Sequence, residues 1–252
     1  MGYSLRKLVV NAITDTPLEH ILRTTYTRLT PTRNNKYDRQ LTKLMRRALS
    51  SHSNCVDVGC YRGEVLRDMI KLSPNGSHFA FEPTPKNFDY LVQKFKIASV
   101  FKIALSDYTG ESTFQHVIDR PARSGFYRVE YPDENQQVRE IKVKVDRLDN
   151  VIPSTIHVDF LKIDVEGGEF SVLRGGRELI KASQPIIVFE HGWKRAKTYN
   201  STPEQIYKLL TTEFALRVSI MERWLIGEAP FSQDDFYRHV YEGLDFCFIA
   251  YP

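Results

Sequence analysis

Several short stretches of this sequence combine acids with glycines in a way that suits ligand chemistry. The first is Val56-Asp57-Val58-Gly59-Cys60-Tyr61-Arg62-Gly63. Glycines let a backbone turn tightly and approach a ligand closely. The spacing is G-x-x-x-G, so it lacks the middle glycine of a G-x-G-x-x-G dinucleotide fingerprint, and Asp57 would repel a pyrophosphate. Asp57, Gly59, Tyr61 and Gly63 therefore suit a cationic or zwitterionic ligand with an amino group. A simple tight turn would explain the same residues without a ligand. The second stretch is Phe81-Glu82-Pro83. Glu82 lies 19 residues after Gly63, close to the spacing of about 20 at which an acid accepts the hydroxyls of a ribose.

The third stretch is Ala104-Leu105-Ser106-Asp107. Ser106 and Asp107 are candidates to meet an adenine amino group, although Asp107 equally suits a local turn into Tyr108-Thr109-Gly110. The fourth, Lys162-Ile163-Asp164-Val165-Glu166-Gly167-Gly168-Glu169, places three acids within six positions. Such crowding is costly unless a cation sits nearby. A close Asp164/Glu166 pair would raise one pKa and make a base that works near neutral pH. Glu169 reads as the favourable acid at a helix start, and Glu166 could simply pair with Lys162 or an arginine. The fifth is Glu190-His191-Gly192, where His191 is a second candidate base. Asp164, Glu166, Glu190 and His191 also have the donor types for a divalent metal, which would acidify a substrate hydroxyl. Residue types do not separate this from metal-free base catalysis, and no metal ligand is assigned.

These residues need elements to hold them. Short apolar strands alternate with amphipathic helices from residue 54 onward. Strands are expected over 55–58, 77–81, 100–105, 158–163, 185–189, 215–221 and 246–251. Each candidate stretch follows one of them. Gly63 opens one helix. Thr84-Pro85 starts another, with Thr as cap and Phe88, Leu91, Val92 and Phe95 as its buried stripe. A helix is expected over 169–181, and Thr202-Pro203-Glu204-Gln205 carries a capping-box signature. Residues 112–118 and 138–145 read as an antiparallel pair around a polar loop, 119–137. Alternation of this kind predicts an α/β fold, Rossmann-like and doubly wound, with ligands beyond the carboxyl ends of the strands. Leu41, Leu44, Met45, Ala48 and Leu49 close a helical run within residues 1–50, and the polar stretch 30–38 reads as a break. The domain reading is thus an N-terminal helical extension, 1–50, and one domain, 51–252, with 110–146 as an inserted hairpin or lid.

Composition narrows the class. The chain has 252 residues, 42% hydrophobic and 26% charged, as expected for one globular domain. No apolar run approaches the roughly 20 residues that span a bilayer. The N-terminus does not read as a signal peptide, and Arg6 breaks the N-myristoylation pattern. Cys55, Cys60 and Cys247 are too few and too irregular for a disulfide framework or zinc site, which points to a reducing, cytoplasmic setting. Of the +4 net charge, residues 1–50 hold +7 and the remainder −3. A solvated helix face explains this, as would peripheral contact with anionic lipid or a phosphorylated substrate. No nucleic-acid partner is expected, because the amino-methylation motif Asn/Asp-Pro-Pro-Tyr/Phe is absent after the fourth strand. A nicotinamide-dependent oxidoreductase would share Glu82 but lacks the glycines. A non-catalytic binding module would have little reason to keep clustered acids.

Taken in order, these stretches resemble the FkbM-type methyltransferase family. Asp146-Arg147-Leu148-Asp149, Lys162-Ile163-Asp164-Val165-Glu166-Gly167 and Val188-Phe189-Glu190 add to the match, which runs from about residue 53 to 192. The resemblance implies a seven-stranded, mostly parallel sheet, S-adenosylmethionine as methyl donor, and O-methylation of a sugar, glycan or secondary metabolite. By it, Asp57, Gly59 and Gly63 line the methionine end, Glu82 holds the ribose, Asp107 lies near adenine, and Asp164 and Glu166 border the transfer site. The chain departs from the family's usual Ala or Asn at Cys60 and Tyr61, and from Ala at Gly168, which leaves the pocket shape open. Substrate choice is expected to reside in the N-terminal helices and the 119–137 loop, with Arg123, Tyr127 and Arg128 covering the acceptor.

Overall fold

The computed structural model describes residues 32–128 and 137–252. The helical readings before residue 32 lie outside them. The first described helix, α1 (Arg33–Ala48), starts within the stretch that reads as a break. The Thr32 side chain accepts the Asn35 N–H and caps it, so residues 33–38 become its first turns. Then follow β1 (Cys55–Val58), α2 (Glu64–Leu72), β2 (His78–Phe81), α3 (Pro85–Lys94), β3 (Ser99–Phe101), β4 (Ile103–Leu105), β5 (Gly110–Val117) and β6 (Val138–Asp146). The second half runs α4 (Leu148–Val151), β7 (Phe160–Ile163), α5 (Glu169–Gly175), α6 (Arg177–Ser183), β8 (Ile186–Glu190), α7 (Trp193–Thr198) and α8 (Pro203–Lys208). It closes with β9 (Arg217–Ser219), α9 (Met221–Ile226), α10 (Gln233–Tyr241) and β10 (Cys247–Tyr251).

Seven strands form one sheet in the order β3-β2-β1-β7-β8-β10-β9. All neighbouring pairs are parallel except those of β10, which runs against β8 and β9. Strand order reverses between β1 and β7, so a crevice opens there at the carboxyl ends. Helices cover both faces. Val56, Val58, Leu161, Ile163 and Phe189 face one core with Leu173, Ile180, Ile206 and Phe236. Cys55, Phe160, Val188 and Ile249 face the other, where α1 contributes Tyr37, Leu41, Leu44 and Met45. Residues 33–48 are thus built into the core. Several of their basic groups bind the chain itself: Arg33 donates to the Gly243 carbonyl, Lys36 pairs with Glu222, and Arg47 donates to the Leu225 carbonyl. Among the described residues no helix is long and apolar enough to cross a membrane.

The structure revises five local expectations. The strand expected over 100–105 splits at Lys102: β3 stays in the main sheet, and β4 leaves it to pair with β6. With β5 it makes a three-stranded second sheet, where the sequence suggests only a hairpin. The helix expected over 169–181 breaks at Gly176, where a Cβ would meet Leu148 Cδ2 at 2.8 Å. In α3, Leu91 and Phe95 are buried but Val92 is exposed, because a ten-residue helix presents only a narrow stripe to α2 and β2. Thr84 does not cap α3, since its hydroxyl donates to Glu82 instead. The capping box at Thr202 and Gln205 forms as expected, worth about 1 kcal/mol.

Candidate active site

Where β1 ends, Gly59 takes a left-handed turn with φ +75°, and a Cβ there would lie 1.9 Å from the Asp164 carbonyl oxygen. The Asp164 N–H donates to the Val58 carbonyl at 3.0 Å, so the two loops meet in van der Waals contact at the reversal point. Over this contact lies a cleft that encloses about 680 Å³ of space continuous with solvent. Val58, Gly59 and Tyr61 line it from β1, Phe81 to Thr84 from β2, and Asp164, Val165, Glu166 and Gly168 from β7. The second sheet adds Ile103, Ala104, Leu105 and Phe114, and the loop after β5 adds Pro121, Ala122, Ser124 and Phe126.

Glu82 is buried at the cavity wall. Its carboxylate accepts the Tyr61 N–H and the Thr84 N–H, each at 3.0 Å. The Thr84 hydroxyl and the Asn87 side chain bond to it as well, and together these contacts fix its orientation. Desolvation pushes its pKa up, against the pull of the donated hydrogen bonds.

Next to the cavity the acids form one network with two cations. Asp57 lies directly opposite Lys162 in the β1–β7 register. The Lys162 ammonium stands 3.6 Å from Asp57 Oδ1 and 3.3 Å from Asp164 Oδ2. Burial disfavours its charge, but these two carboxylates and Glu190 outweigh that and raise its pKa. Arg195 of α7 bridges the other pair, with Nε 2.9 Å from Glu166 Oε2 and Nη1 3.3 Å from Glu190 Oε2. Burial pushes the Glu166 carboxyl up to about 8; Arg195 opposes this, while Asp164 and Glu169 add to it. Glu190 is raised by burial and by Asp164. Asp57, fully buried, is raised by desolvation against the pull of Lys162. Five carboxyl groups therefore crowd around two cations, and burial holds several of them toward the protonated form, from which a further cation would draw them into ionisation.

Glu166 itself has φ +60°, a conformation worth roughly 1–3 kcal/mol of strain in a non-glycine residue. Glu169 holds this turn. Its Oε1 accepts the Gly167 N–H at 2.9 Å and the Val165 N–H at 3.3 Å. Burial raises its carboxyl to about 7. It serves the loop more than a helix dipole.

Of the sequence candidates, Gly59, Tyr61, Glu82, Asp164 and Glu166 come together on the cavity. Asp57 stands one layer behind, beside Lys162. Gly63 is the left-handed residue before α2, packed on Phe95 and Leu91. Ser106 and Asp107 do not line the cavity; Ser106 donates to Asp107, and Asp107 pairs with Arg174 at 3.1 Å. His191 does not line it either. Its ring stacks on Phe236 at 6.4 Å, and burial lowers its pKa to about 4, so it is a weak base at neutral pH. Of the loop residues expected over the acceptor, Tyr127 packs on Tyr199, while Phe126 and Ala122 take the cavity wall. Among the described residues, no group of three or more His, Cys, Asp or Glu is placed to hold a metal ion. The Arg195 guanidinium occupies the space between Glu166 and Glu190. Of the partners considered for Glu166, an arginine, Arg195, takes the place and Lys162 turns to Asp57 and Asp164 instead; Arg195 and Tyr199 are the residues that pattern reading misses, because their partners come from other strands and loops.

An open α/β sheet of this strand order, with an acid-rich crevice at its reversal point, defines a Rossmann-like fold of the methyltransferase class. The family model for the methyltransferase FkbM domain matches residues 57–215, and the chain belongs to that family. It is 28% identical over 171 residues to the 2-O-methyltransferase NoeI of Sinorhizobium fredii (strain NBRC 101917 / NGR234), covering 62% of this chain and 69% of that one. It is 27% identical over 141 residues to Methyltransferase 1 of Beauveria bassiana (strain ARSEF 2860), covering 48% of this chain and 57% of that one. Among solved structures, Methyltransferase FkbM from Methylobacillus flagellatus KT aligns with a TM-score of 0.49 at 16% identity. That alignment spans 81% of this chain and 44% of the other, less than half its length.

Proposed function

We propose that the chain transfers a methyl group from S-adenosylmethionine to a hydroxyl of a glycan or a small hydroxylated metabolite. The observation that carries this reading is the crowding of carboxyl groups beside the cavity at the β1–β7 junction. A ligand with a sulfonium and an ammonium group favours their ionised forms, whereas a pyrophosphate would oppose them. The same point disfavours a nicotinamide cofactor. The residues present fit the donor: Gly59 leaves room for close approach, Glu82 presents its carboxyl on the cavity wall, where ribose hydroxyls could take the place of the Thr84 or Asn87 side chain, and Ile103, Leu105 and Phe81 offer an apolar wall for the adenine. When bound, the donor supplies an electrophilic methyl group for in-line displacement. The similarity to a 2-O-methyltransferase supports a hydroxyl acceptor.

A hydroxyl is a weak nucleophile, so its proton must leave as the bond forms. Glu166 faces the cavity with a pKa raised to about 8, which makes its carboxylate a competent acceptor for that proton. Arg195 holds one oxygen, Oε2, in a fixed direction. Asp164, tied to Lys162, borders the same space and orients the reacting groups. Phe126 and Ala122 help exclude water. Incubating the chain with methyl-labelled donor and a panel of glycans and hydroxylated metabolites is expected to label at least one acceptor on oxygen. Label found only on nitrogen or carbon, or on no acceptor despite donor binding, overturns the hydroxyl assignment.

A further inference from the structure

The loop that walls the cavity is held on the side of the Glu166 turn by Tyr199, a residue outside every motif that marks the family. Tyr199 follows α7. The Phe126 N–H donates to its hydroxyl at 3.0 Å. Its ring meets Tyr127 edge-on, with centroids 4.8 Å apart. Three glycines make room for it from two directions. A Cβ on Gly125 would lie 2.6 Å from the Tyr199 hydroxyl, one on Gly167 2.8 Å from Cδ2, and one on Gly168 3.3 Å from Cε1. The ring therefore fills the gap between the loop that carries Phe126 and the turn that carries Glu166. Both flank the cavity. On the other side, the segment is tied to β5 by the Gln115–Gly125 backbone pair, at 2.8 and 3.3 Å.

The geometry points to Tyr199 as a positioning residue: its hydroxyl latches residues 121–127 against the Glu166 turn and so sets how firmly the cavity closes over its ligand. This deepens the function proposed above and rests on that reading for the identity of the ligand. Tyr199 contacts no reacting group. It acts through Phe126, and its loss affects ligand retention before it affects chemistry.

The test is Tyr199→Phe, which keeps the ring and removes the hydroxyl that accepts the Phe126 amide and also meets the Tyr127 backbone. Losing a hydrogen bond to a buried amide is worth about a tenfold change in an equilibrium. Hydrogen exchange at the Phe126 amide is expected to speed up about tenfold, and the Kd and KM for S-adenosylmethionine to rise by a similar factor. The kcat at saturating donor is expected to stay within about twofold, since the transfer geometry is unchanged once the cavity is filled. Gly125→Ala, which pushes on the hydroxyl from the loop side, is expected to reproduce the pattern, and melting curves confirm that both variants fold. Unchanged Phe126 exchange and donor affinity in both variants overturns the latch. So does a fall in kcat with KM unaltered. A wild-type chain that binds no donor contradicts the proposed function, and the Phe126 exchange comparison then decides the latch by itself.

Discussion

Glu166→Gln is expected to lower kcat by about 10²–10⁴-fold, the usual worth of a positioned general base. Gln keeps the shape of Glu and can still accept from Arg195, so the loop geometry survives. What disappears is the ability to take a proton. The pH dependence gives the sharper check. A base works only when deprotonated, and burial holds this carboxyl's pKa near 8. In the wild type, kcat/KM for the donor should therefore climb with pH through neutrality and level off above about 8. A cationic donor stabilises the carboxylate, so the matching limb in kcat should lie at lower pH. The residual rate of Glu166→Gln should lack both limbs. Initial rates of labelled methyl transfer from pH 6 to 9.5 provide the measurement, and superimposable profiles for the two proteins would remove Glu166 from the mechanism.

Gly59→Ala is the substitution expected to damage the molecule most. Its Cβ would overlap the Asp164 carbonyl oxygen at 1.9 Å, against backbone that cannot swing aside as a side chain can. The left-handed φ of +75° adds its own cost for any residue with a Cβ. Strain and overpacking together come to roughly 2–6 kcal/mol, a large share of the 5–15 kcal/mol by which domains of this kind are typically stable. A fall in melting temperature of roughly 4–24 °C follows. The donor site suffers with it, because β1 and β7 are forced apart where the cavity floor lies. Thermal unfolding and donor titration on one preparation check both effects. A variant that melts with the wild type and binds donor equally well would show that the two loops can separate freely.

Much of this was legible in residue order. The Gly59 turn, Glu82 after the second strand and Asp164-Val165-Glu166 after β7 all reach the cavity, because in a parallel sheet every strand's carboxyl end faces the same crevice. Position alone was sufficient for those. It failed for Asp107 and His191, which also follow strands. Which way a side chain leaves the end of a strand depends on the local turn. Asp107 turns to Arg174, and His191 turns onto Phe236. The partnership of Asp57 with Lys162 needed the strand register, which no single strand contains. Arg195 and Tyr199 lie on short elements with weak periodicity, and their roles exist only because distant loops fold against them. The helix α10 was not read from the sequence, although Ser232 stands three residues before Asp235 and its side chain accepts the Asp235 N–H. At Lys102 the chain moves from one sheet to another, and a single lysine among apolar residues equally suits one continuous strand, so the split was not legible.

Calorimetric titration of the wild-type chain with S-adenosylmethionine, run beside the reduced and oxidised nicotinamide dinucleotides, decides whether the crevice between β1 and β7 is built for a positively charged sulfur compound. One-site binding of S-adenosylmethionine with no heat from either dinucleotide is the predicted result. Silence with S-adenosylmethionine, or saturable binding of a dinucleotide in its place, would contradict it.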